Sequence, residues 1–288
     1  MIRIVRVLAP NPGVYELEGT NTWVLGEAPA VVIDPGPKGD AHLHEVVRTA
    51  GRVGEILLTH DHPDHAPGAL PLAEMTGAPV RALRPPTAGT RLRDGEVITS
   101  GGASVRVVAT PGHSADHAAF WMPDARALFT GDAVLGRGTS LIDPPGGDLA
   151  AYLRSLHRML ELEPRTIHPG HGPVVMRAVA KLDEYLEHRE LRERQILEAL
   201  GEGPRSIEEL VERIYAGYPQ EVRALAGRSV LAHLLKLANE GRVDDTTNAG
   251  VKRYVATEPR ACARCGRPVR GKATYCGPCS LAMLQGTG

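Results

Sequence analysis

Two rhythms of hydrophobic and polar positions divide this chain. Short β-branched runs near residues 22 to 25, 30 to 34, 55 to 59, 104 to 109, 117 to 122 and 126 to 130 read as strands. Between them, residues 40 to 50, 67 to 77 and 148 to 162 repeat apolar positions at helical spacing, and the start Met1 to Val7 alternates as a strand does. Strands interleaved with helices predict an α/β layered domain over residues 1–176.

A long polar helix follows over residues 177–200, its mixed charges offering i to i+4 pairs on solvent faces, until Gly201, Gly203 and Pro204 stop it. Ser206-Ile207-Glu208-Glu209-Leu210 then has the form of an N-cap with a capping-box glutamate. Apolar-periodic Val230, Leu231, Leu234, Leu235 and Leu237 predict a further helix ending at Gly241, and Arg242 to Val255 reads as a hairpin turning near Asn248-Ala249-Gly250. Helices followed by a hairpin predict a winged helix over residues 201–257, leaving 258–288 as a separate tail.

A chain of 288 residues can bury a full core and divide into more than one domain. It has no apolar run long enough to span a bilayer and no signal-peptide pattern at Met1, so a cytoplasmic protein without a membrane partner is expected. The overall net charge of -1 hides an asymmetry. From Thr246 onward seven basic residues face a single acidic one, Glu258, a net of +6 that leaves the preceding part acidic. A basic wing and tail could contact phosphate, or dock on the acidic body or on a second subunit in a homodimer.

The densest chemistry lies in Thr59-His60-Asp61-His62-Pro63-Asp64-His65, directly after the apolar run Ile56-Leu57-Leu58. Neutral imidazole is the commonest protein ligand for zinc and related ions, and carboxylates offset the charge of a cation. A turn after a strand can aim His60 and His62 at one ion while Asp64 and His65 diverge toward a second. Such a cluster needs further donors, and three strand-like runs end in them: His113 after Val105 to Ala109, Asp132 after Ala127 to Phe129, and His171 after Thr166-Ile167.

The series His60-x-His62-x-Asp64-His65, then His113, Asp132 and His171, resembles the metallo-β-lactamase superfamily over roughly the first 175 residues. Gly131-Asp132, Pro169-Gly170-His171-Gly172-Pro173, Gly19-Thr20-Asn21-Thr22-Trp23 and Val31-Val32-Ile33-Asp34-Pro35-Gly36 add to the likeness. The resemblance implies an αββα sandwich, with His60, His62 and His113 holding one metal ion, Asp64, His65 and His171 the other, and Asp132 bridging both. It implies that Asp34 orients a ligand histidine through its other ring nitrogen. Two zinc ions are the expected pair, although His and Asp donors also accommodate iron or manganese. Two cations about 3.5 to 4 Å apart acidify a water and neutralise charge on the attacked group. A metal-bridging hydroxide would then be the nucleophile, with Asp64 as the catalytic carboxylate that orients it. His117, after Ser114-Ala115-Asp116, and Thr139, on a glycine-flanked loop, are candidate substrate contacts; His117 could equally support the ligands or pack. His168 falls on no ligand position and reads as a partly buried or cleft-lining histidine.

A winged helix behind such a domain resembles the lactamase-beta-2-like branch of the superfamily, some members of which cleave single-stranded RNA and others thioesters. The tail adds Cys262-Ala263-Arg264-Cys265 and Cys276-Gly277-Pro278-Cys279, two C-x-x-C knuckles suited to one structural zinc in a ribbon-like module. Cys-Gly-Pro-Cys alone also matches a redox motif, which requires a strand-helix context and no second cysteine pair.

Two function classes follow. One is a metal-dependent endoribonuclease acting on single-stranded RNA, supported by the basic tail; the scarcity of aromatics, 4% of the chain, weighs against it because stacking platforms need them. The other is a thioesterase or lactonase acting on a small ester substrate, with chemistry like that of hydroxyacylglutathione hydrolase. A secreted antibiotic-degrading β-lactamase is disfavoured, since those enzymes usually lack a histidine at the position of His65. A regulator that senses a ligand at the metal site is the remaining class, and the complete ligand set argues against it.

Overall fold

The computed structural model of the protein describes residues 2–248, 250–257, 260–261, 263–266 and 268–269. Contacts divide the chain into two compact units, residues 1–141 with 146–186, and residues 142–145 with 187–288.

The first unit is built on two sheets. Strands β1 (Ile4–Leu8), β2 (Asn21–Leu25), β3 (Ala30–Ile33), β4 (Val53–Leu57), β5 (Val80–Ala82) and β6 (Thr90–Arg91) form one in sequence order. Strands β7 (Val97–Ser100), β8 (Ala103–Ala109), β9 (Ala118–Met122), β10 (Ala127–Gly131) and β11 (Thr166–Pro169) form the other, in the order β11-β10-β9-β8-β7. Successive side chains on a strand point to opposite faces. Val31, Ile33, Trp23 and Leu57 accordingly pack between the sheets with Val105, Val107, Phe120 and Phe129. Val24, Val32, Ile56 and Val80 instead pack under Leu43, Val46 and Leu72 of helices α1 (Asp40–Ala50) and α2 (Ala69–Thr76). These strands are apolar on both faces because both faces are covered. Helix α3 (Leu149–Leu160), capped by Asp148 accepting from the Ala151 N–H at 2.9 Å, buries Tyr152, Leu156 and Met159. The result is the expected αββα layering, with a single core between the sheets.

The mixed direction of the strands positions the chemistry. β3 runs parallel to β4 and β10 parallel to β11, and the chain segments bearing His60, Asp132 and His171 leave the ends of β4, β10 and β11. Helix α4 (Ala178–Gly201) starts the second half of the chain.

In the second unit, α5 (Ile207–Ile214) begins with a complete capping box: Ser206 Oγ accepts from the Glu209 N–H and Glu209 Oε2 accepts from the Ser206 N–H at 2.8 Å. Helix α6 (Gln220–Asn239) is followed by the hairpin of β12 (Val243–Asn248) and β13 (Val251–Ala256). Ile196, Leu200, Leu210, Val230, Leu234, Leu237, Val243 and Tyr254 form its core, so the winged helix packs around a centre of its own. The wing's cations are locally compensated, Lys252 by Asp245 at 3.3 Å and Arg253 by Glu209 at 2.7 Å. Beyond the wing, two-residue strands β14 (Arg260–Ala261) and β15 (Pro268–Val269) pair antiparallel. Cys265 lies between them and is exposed, whereas Cys262, Cys276 and Cys279 lie outside the described residues. No helix among the described residues is long and apolar enough to cross a membrane.

Candidate metal centre

Seven side chains from four loops converge in two adjoining groups. The donor atoms of His60, His62 and His113 lie within 4.8 Å of one another, as do those of Asp64, His65, Asp132 and His171. His113 Nε2 is 3.1 Å from His62 Nδ1, and His65 Nε2 is 3.2 Å from His171 Nε2. Asp132 touches both groups: Oδ1 is 3.3 Å from His65 Nε2 and from His171 Nε2, and Oδ2 is 3.9 Å from His113 Nε2. Asp64 Oδ2 lies 2.9 Å from His171 Nε2 and 3.1 Å from His65 Nε2. Two nitrogens bound tetrahedrally to one zinc at about 2.05 Å stand roughly 3.3 Å apart, so these spacings are those of ligands around a common ion.

The tautomers point the same way, because the acceptors behind the rings dictate them. His65 Nδ1 donates to Asp34 Oδ2 at 2.9 Å, His113 Nδ1 to the Leu141 carbonyl at 3.0 Å and His171 Nδ1 to the Gly19 carbonyl at 3.2 Å. Thr59 Oγ1 donates to Asp34 Oδ2 at 2.7 Å, which leaves it to accept from His60 Nδ1 at 2.8 Å. In each of these rings Nδ1 carries a proton and Nε2 is turned to the centre; His60 Nε2 is buried there with no hydrogen-bond partner among the described residues. A buried lone pair without a donor is costly in a closed core and natural in a metal ligand.

Electrostatics agree. Burial pushes the pKa of His60 well below its ordinary value, with His65 and His117 adding to the effect. Burial opposes charge on His65 too, but Asp132 and Asp34 outweigh it and raise its pKa well above the ordinary value. His171, likewise desolvated, is lifted to about 9 by Asp132 and Asp64. Protons on these histidines thus stand in for cationic charge among the carboxylates, and a metal ion would displace them.

Distant parts of the chain hold this arrangement. Asp34 has a left-handed backbone, φ +50°, and its Oδ1 also accepts from the Thr59 N–H at 2.8 Å, so one carboxylate fixes the start of the histidine loop. The Gly-Thr-Asn-Thr-Trp segment acts on the other side: Asn21 Nδ2 donates to the Pro169 and Gly172 carbonyls at 3.0 and 2.8 Å, and Trp23 Nε1 to the Pro169 carbonyl at 3.0 Å. These bonds clamp the turn that carries His171. Glycine at 170 is required by space, since a Cβ there would stand 2.5 Å from Asp132 Oδ1 and 2.7 Å from His65 Cε1.

The remaining candidates separate. His117 is fully buried, its ring 5.1 Å from that of His60 and its Nδ1 2.8 Å from Thr110 Oγ1. Thr139 is exposed, while its neighbour Ser140 is buried and donates to the Asp132 carbonyl at 2.6 Å. His168 turns into the core, stacked on Phe129 at 4.8 Å and edge-on to Trp23 at 4.8 Å. Residue type alone does not reveal the roles of Thr59 and Thr110, because threonine carries no metal-binding signature of its own; their hydrogen-bond contacts to His60 and His117 do.

The family model of the metallo-beta-lactamase superfamily matches residues 15–85 and 80–171, and that of the beta-lactamase associated winged helix domain matches residues 206–250. A beta-lactamase-like protein 2 homolog of Caenorhabditis elegans is 34% identical over 258 residues, 84% of this chain and 86% of that one. The chain belongs to the metallo-beta-lactamase superfamily. An atrochrysone carboxyl ACP thioesterase of Aspergillus fumigatus is 34% identical over 281 residues, covering 88% of this chain and 87% of the relative. Among solved structures, a metallo-beta-lactamase family protein from Thermus thermophilus superposes with a TM-score of 0.72 at 25% identity, over 89% of this chain and 98% of that one. The likeness to both relatives and to that structure extends over most of this chain, so it takes in the winged helix as well as the metallo-beta-lactamase domain.

Proposed function

We propose that this metallo-beta-lactamase superfamily member is a dinuclear metal-dependent thioesterase. The observation that carries the metal part is the convergence of the Nε2 atoms of His60, His65, His113 and His171 with Asp64 and Asp132, each of these four rings locked by an acceptor behind it. His60, His62 and His113 would hold one ion, Asp64, His65 and His171 the other, and Asp132 both; zinc suits this donor set, as do iron and manganese. When bound, the ions would supply an acidified water and Lewis-acid polarisation of the acyl carbonyl.

The chain's own residues then have distinct tasks. Asp64, less enclosed than the histidines beside it, can accept a hydrogen bond from the attacking water and orient it. Histidine pairs, Asp34 and Thr59 keep the donors rigid, which preserves the geometry through turnover. His117 supports His60 from the buried side.

The thioester is favoured over RNA on two grounds. A thioesterase name occurs among relatives that align over most of this chain. Of the basic residues that would hold a nucleic acid strand, the two on the wing, Lys252 and Arg253, are paired with Asp245 and Glu209. The test is one panel of acyl-thioesters, lactones and single-stranded RNA, run with full-length protein and with a truncation before Pro259. Chelator-sensitive thioester turnover, indifferent to the truncation, is expected; RNA cleavage weakened by the truncation, with no thioester turnover, would overturn the reading.

A further inference from the structure

A cleft next to the metal centre carries a charge that the centre does not use. Its volume is about 260 Å³, and Arg6, Leu8, Asn21, Arg137, Gly172 and Pro173 line it together with Glu18. Gly172 and Pro173 directly follow His171, and Asn21 is bonded to the Gly172 carbonyl. In the β1–β2 register Leu8 faces Asn21 and Arg6 faces Trp23. Arg6 therefore stands one pleat, about 7 Å, farther along β1 from the His171 turn.

The two arginines differ. Arg137 is paired with Glu18, whereas no carboxylate among the described residues pairs with Arg6, whose side chain is exposed. The cleft thus carries one uncompensated guanidinium, a fork suited to phosphate or carboxylate oxygens. Its size is below that of pockets enclosing a whole drug-sized ligand and fits part of a longer one.

We infer that this cleft receives the phosphate-bearing thiol arm of the substrate, with Arg6 on the phosphate, so that the substrates are thioesters of a phosphopantetheine arm. The inference rests on the thioesterase reading for its substrate. An arm of this kind is about as long as four extended residues, roughly 14 Å, which exceeds the single pleat between Leu8 and Arg6 on β1. Leu8, 41% exposed, offers an apolar contact to the methylenes of the arm, and the guanidinium receives its charged end. Coenzyme A and carrier proteins both present acyl groups on this arm.

Binding to metal-loaded, full-length protein separates this inference from the thioesterase reading. Isothermal titration of 4′-phosphopantetheine against pantetheine should show a roughly ten- to hundredfold preference for the phosphorylated arm, the size of one charge-assisted hydrogen-bonded contact. Arg6→Gln should abolish the preference and Arg6→Lys restore part of it, while Arg154→Gln, on the exposed side of α3, leaves it intact. Equal binding of the two arms, or an unchanged preference in Arg6→Gln with an unchanged melting temperature, overturns the inference even if thioesters are hydrolysed. Absence of thioester turnover with the preference intact would instead overturn the catalytic reading alone. Coenzyme A and a holo-carrier protein then distinguish the source: the one that binds at least as tightly as the free arm is the carrier. If neither binds, or if Arg6→Gln weakens only single-stranded RNA, the inference fails.

Discussion

His65 faces two ways: Nδ1 donates to Asp34 Oδ2 at 2.9 Å, and Nε2 stands 3.2 Å from His171 Nε2 on the opposite side of the ring. Asp34 also takes both the N–H and the hydroxyl of Thr59, which in turn accepts from His60. One carboxylate therefore sets the orientation of a histidine in each donor group.

Asp34→Ala should consequently weaken both groups without removing a ligand. Metal affinity or kcat/KM is expected to fall about 10- to 100-fold, the usual cost of losing a carboxylate behind a metal-bound histidine. Metal titration alongside thioester kinetics measures it, and wild-type affinity in the variant would mean that Thr59 and the backbone suffice.

His62→Ala and Asp132→Ala remove donors outright. Both are expected to abolish turnover and to lower the metal content of the purified protein. Either variant keeping wild-type turnover at undiminished metal content would show the donor set to be wrongly assigned.

Gly170→Ala tests the packing of the centre rather than its chemistry. The added Cβ meets Asp132 Oδ1 at 2.5 Å and His65 Cε1 at 2.7 Å, so these two must move. Metal occupancy should drop while the fold persists, with Gly39→Ala, where a Cβ meets nothing within 4 Å, as the control. Circular dichroism with metal analysis separates the two effects.

His233 supplies a pH dependence in the second unit. Neither of its buried ring nitrogens has a hydrogen-bond partner among the described residues, and its pKa is pushed down to about 3 by burial, then by Arg189, Lys236, His188 and Arg192. The unfolded chain takes up this proton below about pH 6.5 and the folded chain only near pH 3. The neutral imidazole therefore favours the fold above pH 6.5, and this advantage is lost as the pH falls, at roughly 1.4 kcal/mol per pH unit between those values. Urea melts of His233→Leu at pH 7.5 and 5 should show a smaller acid-induced loss than the parent; identical losses would place the acid sensitivity elsewhere.

Much of this molecule is legible along the chain. Periodicity locates the main strands of both sheets and the helices, and residue order the capping box at Ser206, because side-chain alternation, helical spacing and capping are set by local backbone geometry. Strands Val80–Ala82, Thr90–Arg91 and Val97–Ser100 escape it: the first two are too short to show a period, and the third buries only Ile98. Residue types and the family resemblance point to the candidate donors, since few side chains can bind a metal and these cluster after strand-like runs.

The tertiary structure decided how each candidate donor is oriented. Whether His113 presents Nε2 depends on the Leu141 carbonyl, and His171 on that of Gly19, and backbone carbonyls have no identity in a sequence. Asn21 and the Gly172 turn it holds are far apart in the chain, as are Arg6 and Arg137 of the cleft. Likewise, the positive charge counted in the wing is compensated once folding brings Glu209 to Arg253 and Asp245 to Lys252. Composition determines which charges and donors exist; only long-range packing determines which of them remain unpaired and face a ligand.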